Sequence, residues 1–464
     1  MTTRRFPNDF LWGTATASFQ IEGAADIDGR GPSIWDTFCR VPGAVRNGDN
    51  GDIACDHFHR VDEDLNLVQR LGVGSYRFSV AWPRIQPTGK GPANQPGLDF
   101  YRRLVDGLQA RGVEATITLY HWDLPQALQD DGGWVVRDTA ERFAEYADIV
   151  ARAIGDGVTR WITLNEPWCS AWRGYEVGDH APGITDVGQA VAAHHHLLLA
   201  HGLATDVLRE ATPGVPVGIA LNLAALRPGS DDPADVAATR RMDGNRNRIF
   251  LGPLLRGEYP ADMLEHYAGH DPGFSVVRDG DLVTINRPLD FLGVNYYSPE
   301  IIVDASRRQA ARELGYTVPT RHESHDLAAV GVQSPGASVT QMNWEIDASG
   351  LRDLLVRVSR ECPDIPLYVT ENGAAYDDYV DPTGEVRDGD RTEYLRAHLG
   401  AVLDAIEDGA QVLGYFQWSL LDNFEWAFGY SRRFGLVWVD FPTGTRLPKE
   451  SYHWYAETIR ANAL

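Results

Sequence analysis

Short, continuous apolar runs alternate along the chain with amphipathic stretches of helical period. Eight of these runs are rich in β-branched and aromatic residues, and most lack the apolar–polar alternation of a half-exposed strand. Continuous runs are typical of strands buried on both faces, as in a parallel sheet covered by helices. The runs lie at residues 10–18, 75–82, 114–122, 160–167, 217–223, 290–297, 367–373 and 413–420.

The segments between the runs predict helices. One helix follows Asp138, which suits its N-cap, and a second covers residues 392–406. The apolar stripe of the first is formed by Phe143, Tyr146, Ala147 and Val150. Eight strand–helix units predict a single (β/α)8 TIM barrel over residues 1–464, with extended loops over the carboxyl-terminal face of the strands. Residues 298–342 fit no unit and are polar, so we expect a long loop over the barrel mouth with a short hairpin.

Composition and net charge limit the partners and the cellular location that we expect for this protein. The 464 residues include 42 Lys+Arg and 65 Asp+Glu, a net charge of −23, which speaks against nucleic acid or an anionic membrane as partner. No apolar run approaches the ~20 residues of a membrane helix. Pro7, Asn8 and Asp9 occupy the place of a signal peptide's apolar core, and the four cysteines form no C-x-x-C pair. We therefore expect a cytoplasmic protein with reduced thiols.

Polar and aromatic residues gather where the predicted strands end. In a barrel all strand carboxyl ends open on one face, and the active site is built there. Two endings carry a glutamate beside an amide, Asn165-Glu166-Pro167 and Glu371-Asn372-Gly373. Pro167 predicts an extended backbone at Glu166, and Gly373 allows a sharp turn after Glu371.

Two opposed carboxylates are the requirement of glycosidic bond hydrolysis. One protonates the leaving oxygen, while the other supports the positive charge that develops at the anomeric carbon. The alternative is that each glutamate caps a helix or pairs with an arginine. Two glutamates at strand ends, each with a neighbouring amide, favour the catalytic interpretation.

Seven motifs in family order make the chain similar to family 1 glycoside hydrolases, the β-glucosidases, along nearly its whole length. The motifs are Phe10-Leu-Trp-Gly-Thr-Ala-Thr-Ala-Ser-Phe-Gln20-Ile-Glu22-Gly, Tyr76-Arg-Phe-Ser-Val-Ala-Trp-Pro-Arg84, Leu119-Tyr-His121-Trp122-Asp-Leu-Pro125, Thr163-Leu-Asn165-Glu166-Pro167, Gly293-Val-Asn295-Tyr-Tyr297, Val369-Thr-Glu371-Asn-Gly373 and Trp418-Ser-Leu-Leu-Asp-Asn-Phe-Glu425-Trp426.

The resemblance implies hydrolysis of terminal β-D-glycosides with retention, by double displacement. Glu371 is then the nucleophile and Glu166 the acid/base. Arg77 is expected to orient Glu371 by a charge-assisted hydrogen bond, and Tyr297 to donate to it. Asn295 is expected to support the region of the nucleophile.

The remaining strand ends are interpreted as a cradle for a sugar, whose hydroxyls need amides, carboxylates and imidazole around an indole floor. Trp344 is the predicted platform for the aglycone, and Trp168 and Trp172 are weaker candidates. The predicted cradle consists of Gln20, His121, Trp122, Asn165, Trp418, Glu425 and Trp426.

Glu425 indicates the class of substrate, because an acidic side chain at this position would repel the phosphate of a phosphorylated sugar. We therefore expect small neutral β-glycosides or cello-oligosaccharides carrying glucosyl, fucosyl or galactosyl groups. The alternatives are a 6-phospho-β-glycosidase and a non-catalytic sugar-binding barrel. No metal or cofactor is expected, since the histidines at 194–196 and 57–59 lack ligand spacing. Cys169 has no base motif beside it and is assigned to packing.

Overall fold

The computed structural model describes residues 3–318, 323–324 and 326–464. The strands are β1 (Leu11–Ala15), β2 (Ser75–Ser79), β3 (Glu114–Tyr120), β4 (Val158–Asn165), β5 (Val217–Leu221), β6 (Leu226–Pro228), β7 (Phe291–Asn295), β8 (Glu300–Asp304), β9 (Glu323–Ser324), β10 (Ala329–Val332), β11 (Leu367–Asn372), β12 (Val412–Trp418), β13 (Val437–Asp440) and β14 (Thr445–Pro448).

The α-helices are α1 (Ser18–Ile21), α2 (Ile34–Phe38), α3 (His57–Leu71), α4 (Trp82–Ile85), α5 (Gln95–Gln109), α6 (Gln126–Asp130), α7 (Arg137–Ile154), α8 (Val187–Ala211), α9 (Pro233–Asp243), α10 (Ile249–Arg256), α11 (Ala261–Tyr267), α12 (Asp281–Ile285), α13 (Arg308–Glu313), α14 (Ala348–Glu361), α15 (Gly389–Glu407) and α16 (Glu450–Ala461). Two π-helical segments cover Cys169–Val177 and Gly244–Arg248. Short 3-10 turns lie at Arg46–Gly48, Gly133–Val135, Gly155–Gly157, Gly273–Val276, Ala305–Arg307 and Trp426–Ser431.

Eight parallel strands close into a barrel, in the order β1-β2-β3-β4-β5-β7-β11-β12 and back to β1. Each predicted run overlaps one of these strands, and the predicted (β/α)8 fold is confirmed. Strands β2, β5, β7 and β11 are buried at every residue, and β5 is apolar throughout. The polar side chains of β2, Ser75, Arg77 and Ser79, are buried as well. Because the strands run in one direction, the carboxyl-terminal polar residues meet at one end of the barrel.

Helix α7 buries the predicted stripe, and Phe143, Tyr146 and Val150 have no exposed surface. Its N-cap is Val136, so the prediction of Asp138 as N-cap is wrong. Asp138 lies in the first turn, where its carboxylate accepts from Arg142 one turn later. Helix α15 begins three residues before the predicted start at 392.

The polar region after β7 contains the expected short hairpin, formed by β9 and β10, but it belongs to a sheet, so the prediction of a loop is wrong. Four strands pair in the order β6-β8-β10-β9, with β6 parallel to β8 and the other pairs antiparallel. One face packs Ile302 against Met242 and Leu327, and the other packs Ile301 against Val332. Strand β6 comes from a separate part of the chain, and no local pattern could show that pairing. Residues 319–322 and 325 of this region lie outside the described residues.

A buried cluster of charges anchors the segment after β12, which carries the predicted sugar-binding residues. Lys449 Nζ donates to Asp378 Oδ2 at 2.5 Å and to Asp422 Oδ1 at 2.7 Å. Arg433 also pairs with Asp422, and Arg391 with Asp378, both at 2.7 Å. Lys449 and Asp422 have no exposed surface, so each buried charge depends on its partners.

We expect Lys449→Met to lower the free energy of unfolding by about 3–5 kcal/mol, because it removes the ammonium that two buried carboxylates share and leaves each with a single cationic partner. Urea denaturation followed by circular dichroism measures this loss. Lys90→Met is the matched control, since Lys90 pairs with Asp131 at the surface, and its effect should stay below about 1 kcal/mol. Equal losses in the two variants would contradict a structural role for the cluster.

Candidate active site

A cavity of about 340 Å³ opens at the carboxyl-terminal ends of the barrel strands. Three predicted site residues, Gln20, Arg77 and Asn165, are buried and lie outside the residues that line it. The other predicted site residues all line it, namely His121, Trp122, Glu166, Asn295, Tyr297, Trp344, Glu371, Trp418, Glu425 and Trp426.

Glu371 is the penultimate residue of β11, and both of its carboxylate oxygens accept hydrogen bonds. Arg77 Nη1 donates to Oε1 at 2.7 Å, and Tyr297 Oη donates to Oε2 at 2.7 Å. Two donors, one of them cationic, suit an oriented carboxylate anion. A Cβ at Gly373 would lie 1.8 Å from the carbonyl oxygen of Trp418, so only glycine fits the turn after β11.

Glu166 follows β4 in a left-handed backbone conformation, with φ of 47°. The prediction of an extended backbone before Pro167 is therefore wrong. The amide of Glu166 donates to Ala220 O at 2.9 Å, and its carbonyl accepts from Cys169 N–H at 2.8 Å. These two bonds turn the chain sharply from strand to helix, and such a conformation costs about 1–3 kcal/mol at a residue other than glycine.

The surroundings of Glu166 favour its protonated form. Burial, and then the negative charge of Glu371, raise the pKa of Glu166 to about 7. Hydrogen bonds from Asn295 and Cys169 and the positive charge of Arg246 act in the opposite direction. A carboxyl with this pKa can give a proton near neutral pH and take one back.

One hydrogen-bond network joins the two glutamates. Asn165 Oδ1 accepts from Arg77 Nη2 at 2.6 Å and from Asn295 Nδ2 at 3.0 Å. Asn295 Nδ2 also donates to Glu166 Oε1 at 2.7 Å. The Asn295 side chain contacts both regions, since its Oδ1 accepts from Thr370 Oγ1 at 2.6 Å, one residue before Glu371, and its backbone is paired beside Glu371.

A neutral histidine lies between the network and the indoles. His121 Nε2 lies 3.1 Å from Asn165 Nδ2, and Trp122 Nε1 donates to Asn165 O at 3.0 Å. Burial, and to a smaller extent the charge of Arg77, hold the pKa of His121 well below its usual range. An uncharged imidazole can both donate to and accept from hydroxyl groups.

Two buried oxygens on the other side have no hydrogen-bond partner within the described part of the chain. They are Gln20 Oε1 and Glu425 Oε2. Gln20 Nε2 is oriented by Asn423 Oδ1 at 3.0 Å and by Phe424 O at 2.9 Å. Burial, and then the charges of the two glutamates above, raise the pKa of Glu425 to about 8. Buried acceptors without partners are costly, and ligand hydroxyls would satisfy them.

Aromatic rings form the floor and one wall. The ring of His121 is nearly parallel to those of Trp418 and Trp426, at 5.7 Å and 6.0 Å. Trp344 packs against Tyr297 at 5.4 Å and lines the outer part of the cavity. The structure thus combines polar groups, flat apolar surface and two carboxyls in different environments.

The model of the glycosyl hydrolase family 1 matches residues 2–464. The chain belongs to glycosyl hydrolase family 1. It is 48% identical to a β-glucosidase of Agrobacterium sp., over 97% of this chain and 95% of that protein. It is 47% identical to a bifunctional β-D-glucosidase/β-D-fucosidase of Bifidobacterium breve, over 98% of both. A family 1 β-glucosidase from Thermotoga maritima in complex with isofagomine lactam superimposes with a TM-score of 0.92, at 44% identity over 100% of both chains.

The family 1 enzyme is a retaining β-glycosidase.

Trp168 and Trp172, the weaker candidates for an aglycone platform, differ in their position relative to the cavity. Trp168 lines the cavity, donates from Nε1 to Asn245 Oδ1 at 2.8 Å, and carries the guanidinium of Arg246 at 3.7 Å from its ring centre. The ring of Trp172 is nearly parallel to that of Trp168, with the two ring centres 6.4 Å apart. Trp172 is almost completely buried and does not line the cavity. Trp172 therefore serves packing.

Several wall residues of the enzyme escaped the sequence analysis. Cys169, assigned to packing, does belong to the buried core, and its Sγ also lies 3.1 Å from Glu166 Oε2. Its position three residues after Glu166, about one helical turn, is the signal that could have indicated the contact. The others have no motif of their own and include Arg173, His180, Asn222, Asn245, Arg246, Phe428 and Phe434.

The histidines that the sequence analysis rejected as metal ligands contact carboxylates in the family 1 enzyme. His57 Nδ1 lies 2.7 Å from Asp64, and His195 Nε2 lies 2.9 Å from Asp281. Across residues 3–318, 323–324 and 326–464, no group of three His, Cys, Asp or Glu could hold a metal ion. Among the helices in these ranges, none combines the length and apolarity needed to cross a bilayer.

Proposed function

We propose that the enzyme releases terminal β-D-glucosyl groups from small neutral β-glycosides, with Glu371 as nucleophile and Glu166 as acid/base. One observation carries the proposal: two buried glutamates line the same cavity in opposite electrostatic environments. Glu371 is bound by a guanidinium and a phenol, whereas burial and the charge of Glu371 favour the protonated form of Glu166. This is the division of roles that glycosidic bond cleavage requires.

In the first step, a Glu371 oxygen attacks the anomeric carbon as the bond to the aglycone breaks. The electron pair of that bond goes to the leaving oxygen, and Glu166 supplies its proton. Arg77 and Tyr297 keep Glu371 aimed at the carbon. The products of this step are the aglycone, released as the alcohol or phenol ROH, and an α-linked glycosyl ester of Glu371.

In the second step, Glu166 acts as the base. The ester of Glu371 carries no charge, so the repulsion that raised the pKa of Glu166 is removed and this pKa falls. The resulting carboxylate takes a proton from water, whose oxygen attacks the anomeric carbon and displaces Glu371. Two inversions return the β-anomer, and each carboxyl recovers its starting state.

The proposed glycone site binds the hydroxyls of one sugar. Gln20 Oε1 and Glu425 Oε2 supply the buried acceptors, and Trp418 supplies a face for C–H groups. The names of the relatives from Agrobacterium and Bifidobacterium breve support glucosyl groups, and the second supports fucosyl groups as well. The other proposed contacts are His121, Trp122, Asn165 and Trp426, with Trp344 under the aglycone.

Product analysis tests this proposal directly. Proton NMR during hydrolysis of 4-nitrophenyl β-glucoside should show the β-anomer of glucose before the α-anomer grows in by mutarotation. Comparison with the β-fucoside and β-galactoside then ranks the glycones by kcat/KM. An initial α-anomer would refute double displacement, and the absence of turnover would leave the non-catalytic sugar-binding alternative.

Above pH 8, where Glu425 is ionised, we expect the enzyme to prefer 4-nitrophenyl β-glucoside over its 6-phosphate by at least about a hundredfold in kcat/KM, because like charges in one buried site cost several kcal/mol. Glu425 and Glu371 are the carboxyls facing the sugar. Glu425→Gln is the matched variant and should reduce this preference while it weakens hydrolysis of the plain glucoside. A preference of the unmodified enzyme for the phosphorylated compound would establish the 6-phospho-β-glycosidase alternative.

In the same proposal, residues 1–464 work as one catalytic unit in the cytoplasm, on glucosides or short cello-oligosaccharides. The four cysteines support this location, because all are buried free thiols. The number of free thiols in the denatured protein, counted with a thiol reagent before and after reduction, tests whether the cysteines are reduced. We expect four thiols in both cases.

A further inference from the structure

The thiol of Cys169 is placed between a donor and the proposed acid/base. Cys169 Sγ lies 3.1 Å from Glu166 Oε2, and Asn222 Nδ2 donates to the same sulfur at 3.3 Å. Because the amide of Asn222 uses the sulfur as acceptor, the thiol proton is free to point towards Glu166. Cys169 begins the π-helical segment Cys169–Val177, and π-helical turns are frequent at functional sites.

The two oxygens of Glu166 therefore have different neighbours. Oε1 accepts the amide of Asn295 at 2.7 Å, so the exchangeable proton of the acid belongs on Oε2. Oε2 is also the oxygen beside the thiol. A donor at this oxygen favours the carboxylate over the carboxylic acid.

We propose that Cys169 is a positioning residue for the acid/base, whose thiol donates to Glu166 Oε2 and stabilises the carboxylate that the second step needs. Asn222 orients the thiol from the far side. This inference rests on the proposed function, which assigns the acid/base role to Glu166.

The charged groups around this contact support a neutral, permanently protonated thiol. Burial raises the pKa of Cys169 well above its usual range, and the charge of Glu166 acts in the same direction. Arg173 and Arg246 act against these effects, but Arg173 is paired with Asp179 and Arg246 with Glu300. The thiol thus remains a donor throughout the pH range in which Glu166 titrates.

Burial and the charge of Glu371 both raise the pKa of Glu166, and the thiol acts against them. The hydrogen bond from Cys169 lowers the pKa of Glu166. Without it, Glu166 should stay protonated to higher pH. The alkaline limb of kcat/KM reports this pKa in the free enzyme, because the first step requires the acid form.

The test compares pH profiles of kcat/KM for a substrate with a poor leaving group. We expect Cys169→Ala to move the alkaline limb upward by about half a pH unit, the size expected of one weak hydrogen bond. Cys169→Ser retains a donor on the same carbon, and its limb should lie closer to that of the unmodified enzyme. Cys362→Ala is the matched control, since Cys362 is a buried thiol bonded to Val358 O, and its limb should not move.

Asn222→Ala provides a second variant, because it leaves the thiol in place without its orienting donor, and a smaller upward movement is expected. A limb that stays in place in Cys169→Ala, even with kcat/KM lower at every pH, would overturn the inference and leave a packing role. Glu166→Gln must abolish the alkaline limb of the unmodified enzyme. If the limb persists there, the acid/base role of Glu166 fails, and this inference fails with it.

Discussion

Glu371→Gly is expected to reduce the hydrolysis of an aryl β-glucoside by more than about 10⁴-fold, since no carboxylate then forms the covalent intermediate. Sodium azide should restore turnover of a dinitrophenyl glucoside, because the small anion can occupy the space of the missing side chain. It would attack from the side of Glu371 and give the α-glucosyl azide. Rate assays with and without azide, followed by NMR of the product, measure both effects.

Glu371→Gln is the matched control for this experiment. It should be equally inactive, and azide should not restore activity because the amide fills the same volume beside Arg77 and Tyr297. Unchanged near-ultraviolet circular dichroism would show that both variants are folded. Formation of the β-azide in Glu371→Gly would mean that the roles of the two glutamates are reversed.

Glu166→Ala is expected to make the rate depend steeply on the leaving group. A dinitrophenolate departs without a proton, so kcat/KM for its glucoside should fall by less than about tenfold, whereas an alkyl glucoside should lose about 10²–10⁴-fold, the usual contribution of general acid catalysis. Steady-state kinetics over a series of aryl glucosides measures this slope.

Azide supplies an independent check on the same variant. With Glu371 intact, azide can replace water in the second step and attack the glycosyl ester from the side that Glu166 vacates. The product should then be the β-glucosyl azide, the opposite anomer to that from Glu371→Gly. Equal losses for all leaving groups would contradict an acid role for Glu166.

Much of the barrel could be predicted from local pattern. A strand covered on both faces is commonly apolar at most positions, and this pattern is visible along the chain at most of the barrel strands. The two glutamates were identifiable for a related reason, since a carboxylate placed directly after such a strand has to lie at the open end of the barrel. The same rule of position predicted the tryptophans and amides that we propose as the sugar cradle.

Contacts between distant segments could not be predicted in this way. The pairing of β6 with β8, the bond from Asn295 to Glu166 and the thiol of Cys169 beside Glu166 all depend on how side chains point after folding. The left-handed backbone of Glu166 is a further example, because a hydrogen bond to Ala220 on the next strand overrides the preference set by Pro167.

By itself, the sequence determined the order of strands and helices, the end of the barrel that holds the chemistry and the residue types found there. Apolar burial is a sum over many local positions, so its pattern survives in the linear chain. Tertiary structure alone decided the surroundings that raise the pKa of Glu166, because these are the loss of water around its carboxyl and the nearby charge of Glu371. Both are properties of distances between atoms, which exist only after the chain has folded.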